Sequence, residues 1–226
     1  MRSECPVDYP CAIADHSKEG CKAALTWVVG HLEQGQTLTL WIPQKQMLRS
    51  NQFLVCLSKE PAINVVTLRG GFYCADGPVL AMYPNSNEIA WIMGANGITA
   101  LAVVQWSDDL DTWVKEVGAK VVHSFKPDKT RRFPFFEKEP ELDPEVIKRL
   151  EDITVTINLN NSIASASFEK DITVRQLLQL HDTGYELPPK RMAQWAAAHG
   201  WLYDNPKELA NWARKISSGI RPRISQ

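Results

Sequence analysis

The stretch from Ile98 to Trp106 reads Ile-Thr-Ala-Leu-Ala-Val-Val-Gln-Trp. It is an almost unbroken apolar run of strand length, without the polar alternation that would give it a wet face. Such a run predicts a strand buried on both sides, the central position of a parallel sheet covered by helices. A chain that contains it must supply two helical layers to cover it.

The rest of the first half has the pattern to do so. Short β-branched or aromatic runs at Pro10–Asp15, Thr37–Ile42, Ile63–Leu68 and Pro78–Tyr83 predict further strands, and Ala119–His123 an edge strand. Between them lie segments of helical periodicity. Ser17–Glu33 has Ala24, Val28 and Leu32 on one face, Ser17 as cap and Gly35 as stop. Gln44–Ser58 has Met47, Leu48, Leu54 and Val55 inward. Ser86–Gly94 opens on an Asn-Ser cap, and Asp108–Glu116 has acids in its first turn, where the helix dipole favours them. Strands alternating with helices imply a Rossmann-like parallel α/β sheet with helices on both faces and right-handed crossovers, over residues 1–123.

Residues 124–142 hold Pro127, Pro134 and Pro140 among mixed charges and read as a connector, with Phe133, Phe135 and Phe136 expected to dock on a domain. Residues 143–226 are helical throughout. Val146, Leu150, Ile153 and Ile157 make one apolar face, and Val174, Leu177, Leu178 and His181 a second. Pro188-Pro189 open a third helix, with Met192, Trp195, Ala196 and His199 on one side. Asn205-Pro206 open a fourth, with Leu209, Trp212, Ala213 and Ile216 inward. The reading is a small all-α domain of four helices.

Charge is balanced, 25 Lys and Arg against 26 Asp and Glu, which excludes a polyanion binder by overall charge. The basic residues concentrate at the end, where Lys207, Arg214, Lys215, Arg221 and Arg223 face one acid, Glu208. No signal peptide and no spanning apolar run is present, and five cysteines are an odd count. These features predict a cytoplasmic protein with reduced thiols and no membrane partner.

Standard enzyme motifs are absent: there is no G-x-G-x-x-G, no P-loop, no G-x-S-x-G and no H-E-x-x-H. Candidate sites therefore come from fold logic. Ligands of open α/β sheets bind beyond the carboxyl ends of the strands. That edge gathers Ser17, Lys18, Lys45, Arg69, Gly70, Gly71, Ser86, Ser107 and Asp108. Serines at helix starts leave N–H donors for an anion, the cations add charge, and Gly70-Gly71 allow close approach. Asp15 with His16, or His123 with Ser124, offers an acid–base pair, but sequence neighbours on a strand point to opposite faces. Asp108, Asp109 and Asp111 have oxygens for Mg²⁺, although acids there ordinarily cap the helix. Cys11, His16 and Cys21 have partial zinc spacing, set against an ordinary place for both thiols in the core, and no metal is assigned.

The last two helices, joined at Gly200, have the form of a helix-turn-helix. Lys207, Asn211, Arg214 and Lys215 lie on the outward side of the second, with Arg221 and Arg223 in the tail, as candidates for contacting nucleic acid. The sequence thus points to a non-enzymatic regulator or adaptor. Its α/β part would bind a small anionic ligand, a nucleotide among the candidates, and its helical part DNA or a protein. One alternative is an enzyme acting on a phosphorylated or nucleotide substrate at the sheet edge, with Lys18, Lys45 and Arg69 on the anion and Asp108 or His16 as acid–base. The other is a ligand-free interaction module.

Overall fold

The computed structural model describes residues 7–106, 110–124, 139–156, 162–164 and 167–224. Six strands form one sheet: β1 (Cys11–Asp15), β2 (Leu38–Ile42), β3 (Ile63–Thr67), β4 (Cys74–Met82), β5 (Asn96–Gln105) and β6 (Lys120–His123), in the order β3-β2-β4-β5-β1-β6. Every pairing is parallel. The apolar run is the interior strand β5, and Ala100 to Val104 are completely buried.

The two faces of β5 meet different layers. Leu101 and Val103 share a core with Ile89 and Ile92 of α4 (Ser86–Met93) and Trp113 of α5 (Asp111–Glu116). Ala102 and Val104 share the other with Cys21, Ala24 and Val28 of α1 (Lys18–Val29) and Leu54 and Leu57 of α3 (Gln52–Leu57). Cys11 lies in the first core and Cys21 in the second. The sheet separates them, and among the described residues no group of three or more His, Cys, Asp or Glu side chains is arranged to hold a metal ion.

Several elements differ from their sequence reading. Ser17 does cap α1, its Oγ accepting the Gly20 N–H at 2.9 Å, but the helix ends at Gly30 and not at Gly35. The helix expected over 44–58 is two short ones, α2 (Met47–Ser50) and α3, because Asn51 takes an extended conformation and its Oδ1 accepts the N–H groups of Phe53 and Leu54. An Asn that can satisfy two helix-start donors favours a new cap over a continuous helix. Strand β4 starts at Cys74, four residues before Pro78. The expected start of the next helix at Asp108 and Asp109 lies outside the described residues, as do Phe133, Phe135, Phe136 and Ile157.

The helical segment comprises α6 (Pro144–Thr156), α7 (Phe168–Asp182), α8 (Pro189–Ala198) and α9 (Asn205–Ser217). It has its own core of Val146, Leu150, Leu177, Met192, Trp195, Trp201 and Leu209. Yet α8 is buried along Arg191 to Ala198, and Ala197 and Ala198 belong to the core beneath the sheet. Its large residues pack among the helices while its alanines let it lie against α4 and α5. Trp91 of α4 meets Tyr203 edge-on, ring centroids 4.9 Å apart, closing the same junction. Among the described residues no helix is long and apolar enough to cross a membrane.

Candidate functional site

Strand order decides which of the candidate residues can meet. Ser17 and Lys18 follow β1, Lys45 follows β2, and Arg69, Gly70 and Gly71 follow the edge strand β3. The ends of β1 and β3 are four strand spacings apart, about 19 Å at the usual spacing. The strand order therefore does not gather Lys18, Lys45 and Arg69 on one anion. Gly71 has φ +74°, and a Cβ there would come 2.6 Å from the Tyr73 ring, so its freedom serves the local turn. Ser107 and Asp108 lie outside the described residues.

Two groupings do form. The first surrounds Asp15, which is 7 % exposed. Its Oδ1 accepts the Ser17 N–H at 2.8 Å, and its Oδ2 lies 2.7 Å from His123 Nδ1 at the end of β6. Burial alone would raise the Asp15 carboxyl, but the bonds from Ser17 and His123 outweigh it and hold the group below its usual range. Gly20 allows this packing: a Cβ there would stand 2.3 Å from the Asp15 carbonyl oxygen and 2.5 Å from Oδ1. Neither neighbour pair considered from the sequence forms the contact. The acid of one pairs with the histidine of the other, because β6 lies beside β1.

Tyr83 and Trp106 border this grouping. Tyr83, a non-glycine residue at φ +57°, places its hydroxyl 3.9 Å from Cys21 Sγ, and Asn51 Nδ2 donates to it at 3.4 Å. Burial, then the neighbouring Cys21, pushes the Tyr83 hydroxyl up to about 12. Burial likewise raises the Cys21 thiol, which argues against a reactive thiolate. Trp106 is 66 % exposed; it stacks on His16 at 4.7 Å and meets Tyr83 edge-on at 5.4 Å.

The second grouping is a cleft of about 310 Å³ between the start of α4 and the helical segment, lined by Asn85, Ser86, Lys190, Lys207, Asn211 and Arg214. It unites Ser86 from the candidate ligand set with Lys207, Asn211 and Arg214 from the candidate nucleic-acid set. Asn85 Oδ1 accepts the N–H groups of Asn87 and Glu88, and Glu88 Oε2 accepts the Asn85 N–H at 2.9 Å. Ser86 N–H has no acceptor among the described residues, as first-turn donors of a helix lack one by construction. Burial raises the Glu88 carboxyl, opposed by the Asn85 N–H. Arg214 Nη1 donates to Asn211 Oδ1 at 2.9 Å, and neither Lys207 nor Arg214 has a carboxylate partner among the described residues. Lys190, which sequence reasoning did not single out, adds a third cation; its N–H donates to Glu139.

The remaining basic candidates are placed elsewhere. Lys215 Nζ sits 4.3 Å from the centre of the Trp212 ring. Arg221 forms a two-pronged pair with Asp182, at 2.8 and 2.6 Å, and the Arg223 carbonyl accepts from Lys170. His199 Nε2 pairs with Glu116 of α5 at 3.0 Å and stacks on Trp195. His181 is 3.9 Å from Asp182.

Residues 142–226 match the model of a family described as a domain of unknown function, DUF1889. No curated protein and no solved structure matches the chain. The matched segment contains α6 to α9, and so the three cations of the cleft. The wall formed by α4 lies outside it.

Proposed function

We propose that this protein binds a small anionic ligand, carrying phosphate or carboxylate, in the cleft between α4 and α8–α9, and works as a ligand-responsive regulator or adaptor. The observation that supports this reading is the convergence of Lys207, Arg214 and Lys190 on the start of α4. A helix start offers N–H donors and a positive partial charge, and the Lys207 and Arg214 side chains add full charges. The volume favours a compact ligand over a dinucleotide, because small-molecule sites span about 300–1,000 Å³ and this cleft is at the low end. Because the cleft has one wall from each part of the chain, a bound anion strengthens their contact, which is how occupancy would be passed to a partner.

The cleft favours a small anion over duplex DNA. Lys207, Asn211 and Arg214 line a recess shared with α4, Lys215 lies on Trp212, and Arg221 is engaged by Asp182. A groove reader needs these side chains on an open face.

Thermal unfolding with sulfate, inorganic phosphate, citrate and AMP tests the reading. A ligand at a hundred times its Kd stabilises by about 2.7 kcal/mol, a rise in Tm of about 5–10 °C for a chain of this size. Wild type should show such a rise with at least one of these anions, and the double variant Lys207→Ala/Arg214→Ala should not. Equal shifts in both place the anion elsewhere. A steeply salt-dependent affinity for duplex DNA that is lost in the same variant would favour the nucleic-acid reading instead.

A further inference from the structure

We infer that Asp15 and His123 form a general acid–base dyad, and that the carboxyl edge over β5, β1 and β6 is an acyl-hydrolase site for small esters with a planar group. The inference goes beyond the anion cleft and does not depend on it. Several observations converge here. The Asp15 carboxylate is buried and immobilised, Oδ1 on the Ser17 N–H and Oδ2 on His123 Nδ1 at 2.7 Å, with α1 pressed against it through Gly20. The side chain of His123 is 36 % exposed, and its Nε2 has no partner among the described residues. A carboxylate holding one imidazole nitrogen fixes the tautomer and leaves the other as the working base.

The edge also has an anion-stabilising element and an aromatic platform. Helix α1, twelve residues long, starts beside Asp15, and the N–H groups of Lys18 and Glu19 have no acceptor among the described residues. Oriented backbone donors of this kind stabilise the oxyanion of acyl transfer. Trp106, largely exposed at the end of β5, gives a planar group a face to stack on. Gln105, the register partner of Asp15, has a buried Oε1 with no hydrogen-bond partner among the described residues.

The step needs only water as co-reactant. His123 Nε2 takes a proton from water as the water oxygen bonds to the ester carbonyl carbon, and the charge gathers on the carbonyl oxygen beside the start of α1. The carbonyl re-forms, the C–O bond to the leaving oxygen breaks, and Nε2 returns the proton to that oxygen. His123 is the catalytic residue and Asp15 a positioning residue.

The test follows release of p-nitrophenol from p-nitrophenyl acetate by wild type, His123→Asn, Asp15→Asn and His31→Ala. Asn at 123 retains a donor for Asp15 and removes Nε2, so the fold is kept while the base is lost; a Tm within a few degrees of wild type verifies this. The expected result is a kcat/KM lower by about 10²–10⁴-fold in His123→Asn, partly restored by imidazole in the buffer, with His31→Ala unchanged. Asp15→Asn should lower kcat more than it changes KM, and the solvent deuterium isotope effect of wild type should be lost in His123→Asn. A purely structural role moves neither that isotope effect nor the imidazole rescue. Wild-type turnover no faster than that of His123→Asn overturns the proposal. So does His123-dependent hydrolysis of p-nitrophenyl phosphate without hydrolysis of the acetate, which excludes the acyl class.

Discussion

The side-chain carbonyl of Gln194 accepts the backbone N–H of Thr112 at 2.8 Å, and that of Trp113 at 3.3 Å. A helix of the α/β part is thereby capped by a residue 82 positions further along the chain. Arg191 adds a second tie, its Nη1 donating to Thr112 Oγ1 at 2.9 Å and its Nε to the Glu139 carbonyl. These contacts fix α8 against α5, and so set the distance between the two walls of the cleft.

Replacing Gln194 by Leu should therefore weaken both stability and anion binding. It strands two buried donors, each costing about 1–3 kcal/mol, so urea unfolding should report a loss of about 2–6 kcal/mol. Gln194→Glu should recover most of this, because a carboxylate accepts both N–H groups and suits a helix start. A Leu variant as stable as wild type would show that the cap is not what fixes α8.

The Asp15 carboxyl is held below its usual value near 3.8, because its bonds to Ser17 and His123 outweigh burial. A depressed carboxyl contributes stability that is present above the unfolded value and is lost as pH falls through the folded one. Wild type and Asp15→Asn compared by urea unfolding should thus differ most above about pH 4, and the gap should close as pH drops below it. A gap that persists unchanged in strong acid would mean that Asp15 acts through packing alone.

Tyr83 makes the opposite, alkaline prediction. Its hydroxyl is raised to about 12, chiefly by burial and next by Cys21. A raised group gives stability in full below the ordinary tyrosine value near 10 and loses it as pH rises through the folded value. Tyrosinate absorbance should show one late-titrating tyrosine that is missing in Tyr83→Phe, and the alkaline loss of stability should shrink with it. Titration of all tyrosines near pH 10 would contradict the buried placement.

Glu88 closes the capping box at the start of α4, and burial raises its carboxyl. Its negative charge opposes an anion in the cleft, so sulfate affinity should increase as pH falls through the Glu88 transition. Glu88→Gln keeps an acceptor for the Asn85 N–H and removes the charge. Calorimetry should find sulfate bound about fivefold more tightly, the ~1 kcal/mol of close charges in a water-like medium. Weaker binding would show that the anion does not approach this helix start.

Much of the fold is legible in the residues. The run at Ile98–Val104 announces a strand covered on both faces, and the cap signals at Ser17 and Asn85 mark helix starts that the structure retains. Strand order is not legible in this way, because periodicity says which face is apolar and not which strand is next. That is why Asp15 and His123 are not recognisable as a pair until β6 is seen beside β1. The two walls of the cleft are each visible, as a serine at a helix start and as basic residues on a late helix. Their meeting depends on α8 being buried on two sides. The run Trp195-Ala196-Ala197-Ala198 holds that signal: a helix that offers small residues beside its large ones is shaped for two neighbours.

The most direct measurement is a titration of isotopically labelled protein with sulfate, followed by nuclear magnetic resonance at the Ser86 amide and the Arg214 side chain. The cleft predicts that both signals move together along one binding curve, and that the Ser86 amide stays still in Lys207→Ala/Arg214→Ala. Movement confined to Lys45, Arg69 and the β3 edge, with Ser86 unmoved, would contradict it.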